Sequence, residues 1–213
     1  HKRRGEASEG DARFVVKLAE TLGLPLFMCE IDVSAIVRQG GNMEAIARDE
    51  RYKAARQAIE STRFHLGFSE ESARVYTAHT ADDRVENFYM RSIVGTGPGG
   101  FRSMNYCVNI GGMRVCHPLL ELGRDDLRAF IAGRPCPVRD ELGELWREDA
   151  TNADTDHFRA FVRHEIVPRA KERNPRLLET LTRTMNLIAE EDDMLAGQVR
   201  ELLLSRVRPL GQL

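Results

Sequence analysis

The sequence predicts an α/β fold: a mostly parallel sheet flanked by helices, followed by a C-terminal helical extension. Two observations carry this expectation. Short apolar runs alternate with helix-periodic segments over roughly the first 95 residues, the spacing of right-handed crossover connections. Beyond residue 175 the apolar positions recur at helical spacing almost to the end. With 213 residues, 42% hydrophobic and 30% charged, the chain can bury one good-sized core, or one core with a small appendage.

The elements follow in order. Residues 11–22 read as an amphipathic helix with Phe14, Val15, Leu18 and Leu22 on one side, closed by Gly23. LPLFMCEIDV (24–33) reads as a strand. Asn42 is placed to cap a longer helix over MEAIARDERYKAARQAIESTRFHL, which stops at Gly67. ARVYTAH (73–79) is the next strand and residues 81–94 the next helix. After the glycine-rich GTGPGGF the pattern changes. YCVNIGGMRVCHPLL predicts a hairpin turning on Gly111 and Gly112, whose register would pair Cys107 with Cys116. GRDDLRAFIAG predicts a short helix. The polar, turn-rich stretch from Trp146 becomes helical before Pro168, and the final segment is one long or two short helices.

Composition excludes several classes. No apolar run approaches the roughly 20 residues of a membrane span, and HKRRGEASEG carries no apolar signal core, so no membrane partner and a cytoplasmic location are expected. Cys29, Cys107, Cys116 and Cys136 form no C-x-x-C and no paired histidine spacing, so reduced thiols and no structural metal are expected. A net charge of -2 rules out a globally basic nucleic-acid binder. Arginine is heavily preferred over lysine, which suits bidentate phosphate contacts but also follows from genome composition.

The segment YTAHTADDRVENFYMR (76–91) is the most informative. It places His79, Asp82, Asp83 and Glu86 where a strand gives way to a helix, and ligands of such sheets bind outside the carboxyl ends of the strands. A carboxylate at Asp82 in the first helical turn satisfies orphan N–H groups. That accounts for one acid. Asp83 and Glu86, three residues apart, share a face and repel unless a cation sits between them. A metal, an ammonium group or an arginine from elsewhere would each serve.

These residues carry a family resemblance. AHTADDRVEN (78–87) resembles the A-H-H-x-D-D-Q-x-E-T segment of the tRNA(Ile)-lysidine synthetases, members of the PP-loop ATPases. GNMEAIARDERY (41–52) is similar to their G-N-x-E-x-x-A-R-x-x-R-Y, and GTGPGGFRSM (95–104) to G-S-G-x-x-G-L-x-G-M. HPLL (117–120) is similar to R-P-L-L, and WREDATNADTDHFRAFVRHEIVP to W-x-x-D-x-S-N followed by R-N-x-I-R and a proline. Each match is weak alone, but five occur in order.

The resemblance implies a PP-loop, adenine nucleotide alpha hydrolase-like fold and ATP, with Mg2+, as cofactor. It implies adenylation of the wobble cytidine of a CAU-anticodon isoleucine tRNA, then displacement of AMP by the ε-amine of free lysine. His79, Asp83 and Glu86 match the family's amino-acid-binding and catalytic positions. Asp82, Asn152, Arg159 and Arg163 match substrate-binding positions. Arg48 is the candidate ATP phosphate contact. Gly95 and Gly97, with Gly99 and Gly100, cradle phosphate, admit RNA, or form an ordinary loop. A basic stretch of Arg163, Arg169, Lys171, Arg173 and Arg176 is either a solvated face or a track for tRNA phosphates. A homodimer is a candidate assembly.

The chain departs from the pattern at Thr80, Arg84, Asn87, His117 and Ala160. The family's S-G-G-x-D-S phosphate loop is expected in at least roughly 30 residues upstream of His1, the size of a βαβ unit. The implied division is a catalytic domain over 1–170 and a helical extension or linker over 171–213. Two alternatives stay open. One is another PP-loop tRNA-modifying activity, although thiolation would want clustered cysteines. The other is a non-catalytic tRNA-binding relative.

Overall fold

A computed structural model describes residues 6–31, 43–135, 138–148 and 158–206. The expected cap Asn42, the site candidate Asn152 and Cys136 lie outside the described residues. Two compact units emerge: His1–Thr77, Cys107–Cys116 and Leu127–Asp149 in one, and Ala78–Tyr106, His117–Asp126 and Ala150–Leu213 in the other.

The first unit opens with α1 (Glu6–Thr21). Gly23, at φ 62°, ends it by taking the left-handed conformation that glycine adopts without a Cβ penalty. Helix α2 (Met43–Leu66) stops in the same way at Gly67, φ 69°, whose N–H donates to the Arg63 carbonyl at 2.9 Å. Between them the expected strand over 24–33 does not form within its described part. Leu24, Leu26, Phe27 and Met28 are exposed, and none of the described residues 24–31 is in a strand. An apolar run becomes a strand only by pairing, and the apolar signal does not reveal whether a ladder partner exists.

Three strands make the sheet: β1 (Val75–Tyr76), β2 (Cys107–Ile110) and β3 (Met113–Cys116), in the order β1-β3-β2. β1 runs parallel to β3 and β2 antiparallel to it, so this sheet is mixed where a mostly parallel one was expected. The reason is local. The hairpin places its own second strand beside β1, and a two-residue turn can join only antiparallel strands. Gly111 and Gly112, at φ 55° and 89°, supply the two positive φ angles that such a turn requires. The expected register holds from Ile110↔Met113 to Cys107↔Cys116, and the two Sγ atoms are 2.7 Å apart as free thiols. Met113 and Val115 alternate with exposed Arg114, the period of a half-buried strand. Arg56 of α2 donates to the Gly111 carbonyl at the tip of the hairpin. Arg147 ties residues 138–148 to α1 through Asp11 at 2.7 Å.

The second unit is built on helices: α3 (Ala81–Val94), the short α4 (Pro98–Phe101), the start of α5 (Arg124–Ala132), α6 (Phe158–Phe161), α7 (Val167–Arg173) and α8 (Leu177–Arg206). The final segment is therefore one long helix. Val85 of α3, Val162, Val167, and Leu177 and Met185 of α8 form its buried core, with Phe88, Ile166 and Leu181 packed around them. Burying each large side chain contributes about 1.5–3 kcal/mol. Between α6 and α7, Val162–Ile166 is a π-helical turn in which the Val167 N–H reaches back to the Val162 carbonyl. That five-residue step turns both Val162 and Val167 into the core. No helix among the described residues is long and apolar enough to cross a membrane.

Candidate active site

The acidic segment begins α3, and its first turn explains one departure from the family pattern. Thr80 is the N-cap, with an extended backbone at φ -114°. Its hydroxyl accepts from the Asp83 N–H, and the Asp83 carboxylate accepts the Thr80 N–H at 2.9 Å, closing a capping box. The capping role thus belongs to Thr80 and Asp83, whereas the sequence placed it at Asp82. Asp82 instead faces elsewhere in the second unit: Oδ2 accepts the Arg124 N–H at 2.8 Å, and Oδ1 pairs with Lys171 Nζ at 3.1 Å. A threonine is a better cap than a histidine, which gives Thr80 a local purpose.

Asp83 and Glu86 meet on one face, as their spacing predicts, and the cations between them are arginines of this chain. Glu86 is 1% exposed and receives three guanidinium groups. Arg124 and Arg163 reach Oε1 at 2.9 and 2.7 Å, and Arg159 and Arg163 reach Oε2, both at 2.9 Å. Asp83 Oδ1 shares Arg159 at 2.8 Å and Arg124 at 3.2 Å. Arg159 and Arg163 lie four residues apart across the start of the π turn, so both reach the same carboxylate.

The electrostatics follow. Burial pushes the Glu86 pKa up, but hydrogen bonds from Arg163 and Arg159 and the charge of Arg124 outweigh it and hold the group below the ordinary glutamate range. Burial also opposes ionisation of Asp83, and the Thr80 N–H and hydroxyl, then Arg159 and Arg124, again lower its pKa overall. Both acids are therefore ionised at neutral pH. Among the described residues no group of three or more His, Cys, Asp or Glu side chains is arranged to hold a metal ion.

The His79 ring lies edge-on to His117, centroids 5.1 Å apart, and His117 Nδ1 meets the Asn105 carbonyl at 2.7 Å. Other departures also have structural partners. Arg84 is 1% exposed, donates to Asn186 Oδ1 at 3.0 Å and lies over the Tyr106 ring, whose hydroxyl donates to Glu121 at 2.6 Å. Asn87 donates to Ser103 Oγ at 3.0 Å. Arg102 bridges to Asp192 and Asp193 of α8 at 2.9 and 2.7 Å.

The glycine candidates serve as helix caps in the second unit. Gly95, at φ 90°, caps the C-terminus of α3, and Gly97 is the N-cap of α4 ahead of Pro98. Arg48 belongs to the first unit, exposed and 5.7 Å from the centre of the Tyr52 ring. Arg51, also in that unit, lines an open groove with Phe27, Cys29 and Ile31. Within the basic stretch, Arg163 and Lys171 face the acids, Arg169 pairs with Glu165 at 2.8 Å, and Arg173 and Arg176 are exposed. Sequence reasoning missed Arg124. It lies 38 residues from Glu86 in a segment that reads only as a short helix, so no local signal marks it.

Residues 1–170 match the family model of the PP-loop domain. Over 210 residues the chain is 34% identical to the tRNA(Ile)-lysidine synthase of Geobacter sulfurreducens, covering 97% of this chain and 40% of that protein. The tRNA(Ile)-lysidine synthase of Dehalococcoides mccartyi is 33% identical over 96% of this chain and 42% of its own length. That of Thermus thermophilus is 36% identical over 91% and 34%. The chain thus spans about two fifths of the relatives it matches. With the family's domain matched over most of its length and the motif acids gathered at the start of one helix, this chain belongs to the PP-loop domain family.

Proposed function

We propose that the protein containing this chain ligates lysine to the wobble cytidine of a CAU-anticodon isoleucine tRNA, using ATP and passing through an adenylated tRNA. The observation that carries the reading is the meeting of Asp83 and Glu86 with Arg159 and Arg163, four motif positions far apart in sequence and within hydrogen-bond reach in the fold. Relatives named tRNA(Ile)-lysidine synthase across more than nine tenths of the chain support it.

The reaction has two displacements. The cytidine O2 attacks the α-phosphorus of ATP and pyrophosphate leaves. The lysine ε-amine then attacks C2, AMP leaves, and a proton is lost from the amine. Carboxylates held ionised are suited to binding an ammonium group by charge and poorly suited to removing its proton. Asp83 and Glu86 therefore bind the lysine, and His79 takes the proton. Arg159 and Arg163 offset charge developing on phosphate or hold the lysine carboxylate. Asp82 orients Arg124 and Lys171 around them, and Asn152, Arg48, Gly95 and Gly97 contact tRNA or ATP. Mg2+ would accompany ATP, while the cluster acids are turned to arginines.

We assign catalysis to residues 1–170 and read 171–213 as a helical extension whose first turns complete the core of the second unit through Leu177 and Met185. The test is incorporation of labelled lysine into a CAU-anticodon tRNA transcript by the full-length protein. ATP-dependent incorporation with release of AMP and pyrophosphate is the expected result. Binding of tRNA without incorporation would replace this reading with that of a non-catalytic tRNA binder.

A further inference from the structure

The acids assigned to lysine are closed off by the chain's own cations. Glu86 is 1% exposed, with both oxygens occupied, and Asp83 is 16% exposed, whereas the guanidinium side chains around them are 40% exposed at Arg159, 32% at Arg124 and 22% at Arg163. A ligand arriving from water therefore meets guanidinium groups before it meets Glu86. In ion-pair contact, Asp82, Asp83 and Glu86 face Arg124, Arg159, Arg163 and Lys171, three negative charges against four positive. An incoming lysine, itself a net cation, would raise that excess. An anion removes it.

From this we propose that Arg124, Arg159 and Arg163 form an anion-exchange gate: a polyphosphate anion draws their guanidinium groups off Asp83 and Glu86, and only then do these acids accept the ammonium of lysine. The inference rests on the proposed lysine-ligating function and adds to it an order of binding. Guanidinium pairs with phosphate oxygens in the same bidentate geometry as with carboxylate, so the exchange replaces one set of charge-assisted hydrogen bonds by another. The ammonium then takes the positions that the arginines leave. Linkage makes the effect reciprocal, so lysine must tighten anion binding by the factor by which the anion tightens lysine binding.

Titration calorimetry on the full-length protein tests this with L-lysine as titrant, alone and with saturating inorganic pyrophosphate or a non-hydrolysable ATP analogue. Lysine should bind about tenfold more tightly, or more, with the anion present, within the usual range of couplings between sites. Arg124→Gln should tighten binding of lysine alone and shrink the coupling, and Arg124→Met should act in the same direction if the first variant folds poorly. Asp83→Asn should tighten the anion, because a carboxylate competing for the guanidinium groups is gone. Lysine affinity equal within about twofold with and without the anion would overturn the gate while leaving the ligase reading in place, being far below such couplings. No lysine binding under either condition, with no incorporation into tRNA, would overturn both.

Discussion

Glu86→Gln removes the single carboxylate that three guanidinium groups share, and its consequence can be sized from the geometry. Breaking a buried ion pair by deleting one partner costs about 3–5 kcal/mol, because the other charge is left uncompensated. Here Arg124 and Arg159 keep Asp83, and the arginines, 22–40% exposed, recover part of their hydration, so about 2–4 kcal/mol is the expected loss. For a chain of this size that corresponds to a fall in Tm of about 5–15 °C. Arg159→Gln should cost about 1 kcal/mol or less, since Arg124 and Arg163 still satisfy Glu86 and Arg159 is the most exposed member.

The same reasoning fixes a pH window. The folded pKa of Glu86 lies below its unfolded value near ~4.3, so its contribution is complete above that pH and is lost as pH falls through the folded pKa. Urea denaturation followed by circular dichroism, at neutral pH and in steps down to about pH 3, should show wild type and Glu86→Gln converging in acid. A glutamine variant as stable as wild type at neutral pH, or less harmed than Arg159→Gln, would refute the shared-carboxylate account.

Asp83→Asn should weaken lysine binding while leaving tRNA binding nearly intact. Arg173→Ala, at an exposed position of α7, should weaken tRNA binding and flatten its salt dependence by about one unit of slope; equal loss of tRNA affinity in both variants would contradict this division. Thr80→Ala removes the N-cap of α3 and should destabilise the protein by about 1 kcal/mol, read from the urea midpoint. Cys107 and Cys116 occupy a non-hydrogen-bonded cross-strand pair, so mild oxidation with diamide should link them within one chain, seen by peptide mass mapping; only intermolecular disulfides would argue against the register.

Local signals alone determined much of this protein. The two glycines after CVNI, with alternating apolar residues on either side, specified the hairpin and its register, because a two-residue turn leaves one way to pair the strands. Helix α3 was legible to the residue, since its apolar period and first-turn acids are contained in one segment. The i, i+3 spacing likewise showed that Asp83 and Glu86 need a cation, but not which one. Only the tertiary structure decided that Arg124, Arg159 and Arg163 supply it, because ion pairs between residues 38 to 77 positions apart leave no periodicity in the chain. Pairing across distance also decided the sheet: β1 takes the hairpin strand β3 as its partner, whereas the described part of the apolar run 24–33 forms no strand. Backbone hydrogen bonds between strands are long-range contacts, and an apolar run carries no mark of which strand, if any, will lie beside it.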